Sequence, residues 1–319
     1  MTETAAEHVS RVYRAVGHDS AARSAVAASW ERCIRLYGLD PAGPAKQRIL
    51  GEVEWRRSRE RLGSLVDAAQ VRLDRLSLLT RQGGCCILLA DREGVSIEWR
   101  GTPGDKPELQ RMALVPGAIW DEGTGGTNGI GTCLVEKRPL AVQSGEHFFA
   151  TNGSISCVAA PIFDHLGRLA AVLNISVYGK GQDALFSHAR LAANETAQQI
   201  QEDYFRRSFA QSRILLLGEE HRWGLIAVDA DDLVVGASMA ARSSLQITDA
   251  GIAKGIAARD LLEGAITSRA DLDDAQRAAL RRALARAKGN VSRAAFELGL
   301  SRATLKRKLR QFNARPKAG

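Results

Sequence analysis

From residue 20 to residue 41 apolar positions recur at helical spacing. Val26, Trp30, Cys33, Ile34 and Tyr37 share one face, and Gly38 and Pro41 stop the run. A second helical stripe follows in RERLGSLVDAAQVRLDRL, where Leu62, Leu65, Val66, Ala69, Leu73 and Leu76 align. Between Gly83 and Gly179 the period shortens to that of strands. CCILLAD and VSIEWRG flank Arg92-Glu93-Gly94, a hairpin signal, and RPLAV, ISCVAAPIFD and RLAAVLNISVYG follow, the last two joined by a turn at residues 165–167. Strands bracketed by amphipathic helices predict an α+β fold, an antiparallel sheet with flanking helices.

Helical spacing returns after Asp183. Phe186, Ala189, Ala193, Ala197, Ile200 and Tyr204 mark one long helix to residue 211, unbroken as in dimeric signalling helices. WGLIAVDADDLVVGASMAARSSLQI then reads as strand, turn at residues 229–232, strand and helix. The C-terminal stretch reads as three helices. DLDDAQRAALRRALARAKGN has acids at its start, Leu280 and Leu284 four apart, and Gly289 as a stop. Asn290 caps a second helix with Val291, Ala294, Ala295 and Leu298 on one face, and Gly299 ends it. Ser301 caps a third, with Leu305, Leu309 and Phe312 on one stripe and Arg302, Lys306, Arg307 and Arg310 opposite. Two short helices joined at Gly299, the second with a basic face, form an all-α helix-turn-helix.

One stretch fits no periodic pattern. DEGTGGTNGIG places Gly123, Gly125, Gly126, Gly129 and Gly131 within nine positions. A phosphate loop of the Walker type needs Lys-Ser/Thr after its last glycine, whereas Gly131 is followed by Thr132-Cys133-Leu134. A dinucleotide loop needs a strand ending directly in the glycines, and here PGAIWDE precedes them. Phosphate cradling is therefore not expected of these glycines.

Charge changes the picture more than composition does. The 319 residues, 45% hydrophobic and 25% charged, suit two or three soluble domains. The net charge of +8 is uneven: residues 281–317 hold twelve Lys/Arg and one acid, Glu297, against 32 basic and 35 acidic residues elsewhere. A basic tail on a mildly acidic body points to a nucleic-acid or membrane contact at the C-terminus, and the three capped helices favour double-stranded DNA as the partner. No apolar run reaches the ~18 residues that cross a bilayer. The N-terminus lacks a signal-peptide core, and five cysteines point to reduced thiols. A cytoplasmic protein with no membrane partner is expected. Paired Cys/His spacing is absent, so neither a metal nor a cofactor is expected.

GNVSRAAFELGLSRATLKRKLRQF resembles the DNA-binding domain of the Fis family, which closes sigma-54-dependent activators. The resemblance implies that the last helix enters the major groove. Arg302 and Arg307 would then reach base edges, with Asn290, Ser301, Thr304, Lys306 and Arg310 nearer phosphates. It also implies a homodimer paired through the first of the three helices. SWERC, GLDP, GTNGIGTCLVEKRPLAV, EHF and CVAAPIFDHLGRLAAVLNIS resemble the GAF sensor domain of acetoin-catabolism-type activators. That resemblance makes the glycine-rich segment the roof of a cavity for an unidentified small-molecule effector. Trp120, Thr127, Asn128, Cys133, His147, Phe148 and Cys157 are the candidate ligand-binding residues around the roof, with Trp120 at its rim. Cys85, Cys133 and Cys157 also read as small core residues, and His147 as a turn cap. Cys85 and Cys86 point to opposite faces of one strand, so only one can face the cavity.

Residues 223–247 resemble the opening of a PAS domain, shortened to about half the usual length. The expected organisation is an N-terminal helical segment over 1–58, a GAF-like domain over 59–205, a PAS-like segment over 206–268 and a Fis-type domain over 269–319. The activators that the chain resembles carry an AAA+ ATPase between sensor and helix-turn-helix. Neither its Walker loop nor its GAFTGA loop occurs here. The reading is a non-enzymatic, sequence-specific transcription regulator that acts without ATP hydrolysis. RNA polymerase or a full-length relative is a further partner. Two alternatives stand beside it: a GAF-fold thiol enzyme reducing methionine sulfoxide, and a nucleoid-type architectural DNA binder.

Overall fold

A computed structural model describes residues 4–16, 24–45, 47–78, 83–179, 182–217, 224–263, 279–280, 283–284, 287 and 289–313. They form two compact units, residues 1–255 and 256–319.

The first unit is built on a five-stranded antiparallel sheet. Its strands are β1 (Cys85–Asp91), β2 (Ser96–Gly101), β3 (Leu140–Val142), β4 (Ile155–Phe163) and β5 (Leu169–Tyr178), in the order β2-β1-β5-β4-β3. Every residue of β1 is buried because both faces of the sheet are covered. Alternation sorts the faces. Cys85, Ile87 and Leu89 join Leu173 and Ile175 against helices α3 (Glu52–Leu76) and α7 (Asp183–Ser208). Cys86, Leu88 and Ala90 face the opposite side with Cys157 and Ala159. The two adjacent cysteines thus lie on opposite faces.

Helix α3 buries Leu65, Val66, Ala69, Leu73 and Leu76 from its apolar stripe. Helix α7 packs alongside it through Ala189, Ala193, Ala197 and Ile200, small residues that let the helix lie close. Arg72 of α3 clamps Asp203 of α7, with Nε donating at 2.7 Å. The expected boundary at residues 58/59 lies inside α3, and that at 205/206 inside α7.

Two helices precede α3. They are α1 (Ala5–Val16) and α2 (Ala25–Arg35), the latter capped by Ser24. The helical stripe expected to run to Gly38 ends at Arg35, and Gly38 takes the left-handed φ of +63° that turns the chain away. The other sheet face is covered by α4 (Lys106–Arg111), the segment 113–120 and α6 (Gly129–Glu136), with the short α5 (Glu122–Gly125) preceding α6 in the chain.

Beyond α7 a second antiparallel sheet forms, β6 (Arg213–Leu217), β7 (Gly224–Val228) and β8 (Val234–Ala237), in that order. The strand–turn–strand–helix reading of this segment is met by β7, β8 and α8 (Met239–Leu245), with α9 (Asp249–Lys254) following. Phe205 and Phe209 at the end of α7 pack on one face of this sheet, so the long helix touches both sheets.

The second unit contains α10 (Ala258–Glu263), helical positions at 279–280 and 283–284, then α11 (Val291–Glu297) and α12 (Arg302–Asn313). Most of its first predicted DNA-domain helix, the expected pairing surface, lies outside the described residues, as does the side chain of Phe312. Within it Leu280, Ala283 and Ala287 are buried at helical spacing against Ala294, Ala295 and Leu305.

Candidate functional site

The roof over the first sheet is held by side chains that replace missing backbone partners. Asp121 caps α5, its Oδ1 accepting from Thr124 N at 3.0 Å. Asn128 caps α6 by accepting from Gly131 N at 2.9 Å. Its amide also donates to Trp120 O at 3.0 Å and Gly126 O at 2.8 Å, so one buried side chain ties three turns together. Two glycines explain the composition of this stretch. Gly126 has φ of +64° and packs on Phe148. At Gly129 a Cβ would stand 2.7 Å from Cys157 Cβ and press on Asn174 Oδ1.

Beneath the roof is a small cavity of about 10 Å³, lined by Leu114, Trp120, Asn128, Gly129, Ile130, His147, Ile155, Cys157, Asn174 and Ser176. Such a space holds a single water at most. Its walls are apolar apart from four side chains. Burial drives the His147 pKa down to about 4, so the ring is neutral at physiological pH. Nδ1 faces Ser144 O at 3.4 Å, a carbonyl that can only accept, which leaves Nε2 as an acceptor. Asn174 donates to Ser176 Oγ at 2.9 Å. Its Oδ1 is buried and has no partner among the described residues. An orphaned buried carbonyl of this kind costs about 1–3 kcal/mol.

Four of the seven expected ligand residues line this cavity: Trp120, Asn128, His147 and Cys157. Trp120 is a buried wall rather than a rim, its indole donating to Ala113 O at 3.2 Å. The other three face elsewhere. Thr127 hydrogen-bonds Ser29 at 2.7 Å, and Cys133 points to Arg138 O. Phe148 packs into a cluster with Val12, Trp30 and Phe149 because α1 and α2 cover it. Asn174 and Ser176 escape the sequence reading, although two polar residues on one face of the apolar run LAAVLNISVY are a readable signal.

Burial pushes every cysteine thiol up: Cys33 and Cys85 to about 11, Cys133 to about 12, with Cys86 and Cys157 also raised. None is poised as a thiolate nucleophile. No group of three metal-binding side chains occurs among the described residues.

In the second unit Gly299, at φ of +64°, turns the chain between α11 and α12. Asn290 Oδ1 accepts from Ser292 N and Arg293 N, both at 3.1 Å, and Ser301 Oγ accepts from Thr304 N at 3.1 Å. Asn290 and Ser301, two of the five expected phosphate contacts, thus already serve as caps. Arg302, Lys306, Arg307 and Arg310 are exposed, and Thr304 is half-buried behind them. None of these four cations is ion-paired among the described residues, while Leu305 anchors the opposite face of α12 in the core.

Residues 64–202 match the GAF domain, and residues 271–312 match the bacterial regulatory protein, Fis family. The acetoin catabolism regulatory protein of Cupriavidus necator is 35% identical over 161 residues, 50% of this chain and 24% of its own length. The acetoin dehydrogenase operon transcriptional activator AcoR of Bacillus subtilis is 31% identical over 159 residues, 50% of this chain and 26% of its own. The matched segment thus spans about a quarter of each of these relatives. A chain of the E. coli DhaR(N)–DhaL complex shares the fold at a TM-score of 0.50 and 18% identity, covering 74% of this chain and 80% of that one. No helix among the described residues is long and apolar enough to cross a membrane.

Proposed function

The chain joins a GAF domain to a Fis-family helix-turn-helix, and from that premise we propose that it is a sequence-specific transcription regulator controlled by a small molecule. The observation that carries the sensing half is the orphaned Asn174 Oδ1 in a cavity with no charged wall. Such a site suits a compact, uncharged molecule that donates a hydrogen bond through a hydroxyl or amide. An ionised effector would be stranded there without a counter-charge. The names of the two relatives, which concern acetoin, agree with a small uncharged effector of this chemistry.

DNA recognition falls to the exposed cations of α12, with Arg302 and Arg307 reading base edges and Lys306 and Arg310 on phosphates. The protein acts as a homodimer on a near-palindromic site. It works by occupying DNA rather than by hydrolysing ATP, through contact with RNA polymerase or competition with a full-length relative. The raised thiols weigh against the methionine sulfoxide reductase alternative. Binding-site selection on random DNA, with and without a panel of small alcohols, ketones and amides, tests the whole reading. A defined operator whose affinity shifts with one panel member is expected. Arg302→Ala should cost about 1–3 kcal/mol and relax one base position, whereas Lys306→Ala should weaken all sequences alike. Binding with no sequence preference would favour the architectural alternative.

A further inference from the structure

A cavity this small cannot admit a ligand unless the roof lifts from the sheet, and the roof is fastened to something outside the GAF match. Each of its segments is held by α1 or α2. Glu122, at the start of α5, has a fully buried carboxylate. Arg32 grips it with two donors, Nε at 2.7 Å and Nη2 at 2.8 Å, and Ser29 Oγ donates at 2.6 Å. The remaining donor of Arg32, Nη1, reaches Glu136 at the far end of α6, 3.1 Å away. Ser29 Oγ also lies 2.7 Å from Thr127 Oγ1 and 3.2 Å from Thr132 Oγ1. The 144–149 loop is held in the same way. Trp30 Nε1 donates to Glu146 O at 2.9 Å, Arg11 donates to Gly145 O, and His8 Nε2 meets Phe148 O at 3.1 Å.

We propose that α1 and α2 are a latch that sets how often the cavity opens, with the Arg32–Glu122 pair as its pin. The proposal rests on the sensing reading above and adds its regulation. Separating α2 from the roof would leave Glu122 charged and buried without its partner, which is the costly way to break such a pair. Contacts on the cavity side are weaker: apolar walls and an amide oxygen with no hydrogen-bond partner among the described residues. Roof and latch therefore hold each other closed, and a change that loosens the N-terminal helices loosens the cavity.

Two cysteines turn this into a measurement that needs no ligand. Cys157 lines the cavity, whereas Cys85 is buried on the opposite, helix-covered face of the same sheet. Alkylation of the full chain by N-ethylmaleimide, resolved residue by residue by tandem mass spectrometry so that Cys85 is read apart from its neighbour Cys86, reports roof opening at Cys157 and global unfolding at Cys85. Arg32→Met should raise the Cys157 rate at least tenfold with Cys85 unchanged. Ser29→Ala, a gentler change, should raise it several-fold. Arg32→Met combined with Glu122→Gln should fall back toward the wild-type rate, because the stranded charge is gone. An unchanged Cys157 rate in both single variants overturns the latch, as does Cys85 rising in step with Cys157. Failure of every panel molecule to shift operator affinity would count against sensing and leave this result standing.

Discussion

Asp91 ends β1 and shapes the hairpin that follows, its Oδ1 accepting from Glu93 N at 3.0 Å and Val95 N at 2.9 Å. Oδ2 is buried without a hydrogen-bond partner among the described residues, and Arg61 Nη2 stands 3.8 Å away as an ion-pair partner. Burial is the largest influence and pushes the carboxyl pKa up to about 6 against the opposing backbone bonds. A folded pKa above the unfolded one means that the folded chain holds the proton more tightly. Its stabilising contribution is therefore complete below about pH 4 and is lost as pH rises through about 6. The size is on the order of 2–3 kcal/mol for a shift of about two units. Asp91→Asn keeps an acceptor for both backbone donors and carries no charge to bury. Its Tm should exceed that of the wild type at pH 7.5, with the gap closing by pH 4; thermal scans across that range check it. A gap independent of pH would mean that the carboxyl is ionised in both states.

At the scale of elements, the roof is the part whose composition is readable and whose purpose needs the fold. Gly129 has no room for a methyl group because α6 lies directly on Cys157 and Asn174. Gly129→Ala should lift α6 from the sheet, lower Tm by several degrees through overpacking worth about 1–3 kcal/mol, and raise Cys157 alkylation. An unaltered Cys157 rate would show that the helix rides elsewhere. Apolar spacing was enough to place α3, α7 and the five strands, because each buries one stripe or alternates between two covered faces. It could not place β6: in RILLL every position after Arg213 is apolar, so neither period shows. Trp120 read as a rim residue because nothing in the sequence says that Ala113 O lies within reach of its indole. The Ser29–Arg32–Glu122 cluster was equally hidden. Its members lie 93 and 90 residues apart along the chain and meet only when α2 folds over the roof.

At the scale of the whole molecule, the long helix α7 leaves the first sheet and ends against the second, so a shift of the first sheet has a physical route to the β6–β8 sheet. The sequence along that stretch holds no Walker loop. Residues 203–270, between the two family matches, comprise the end of α7, the β6–β8 sheet and helices α8–α10 among their described positions. Opening a sigma-54 promoter requires ATP hydrolysis, which needs a phosphate loop with its lysine, a metal-holding acid and an arginine supplied across a ring. The one glycine-rich segment has no such lysine, and its glycines are spent on packing α6 against Cys157 and turning the chain at Gly126. The protein should therefore neither bind nor hydrolyse ATP, and should leave a sigma-54 promoter closed. Added to a reaction containing a full-length activator that shares its enhancer, it should reduce open-complex formation in proportion to the sites that it occupies. The assay needs sigma-54 polymerase, an enhancer template and ATP, with open complexes scored by permanganate reactivity. Open complexes that depend on this protein alone and on hydrolysable ATP would overturn the account.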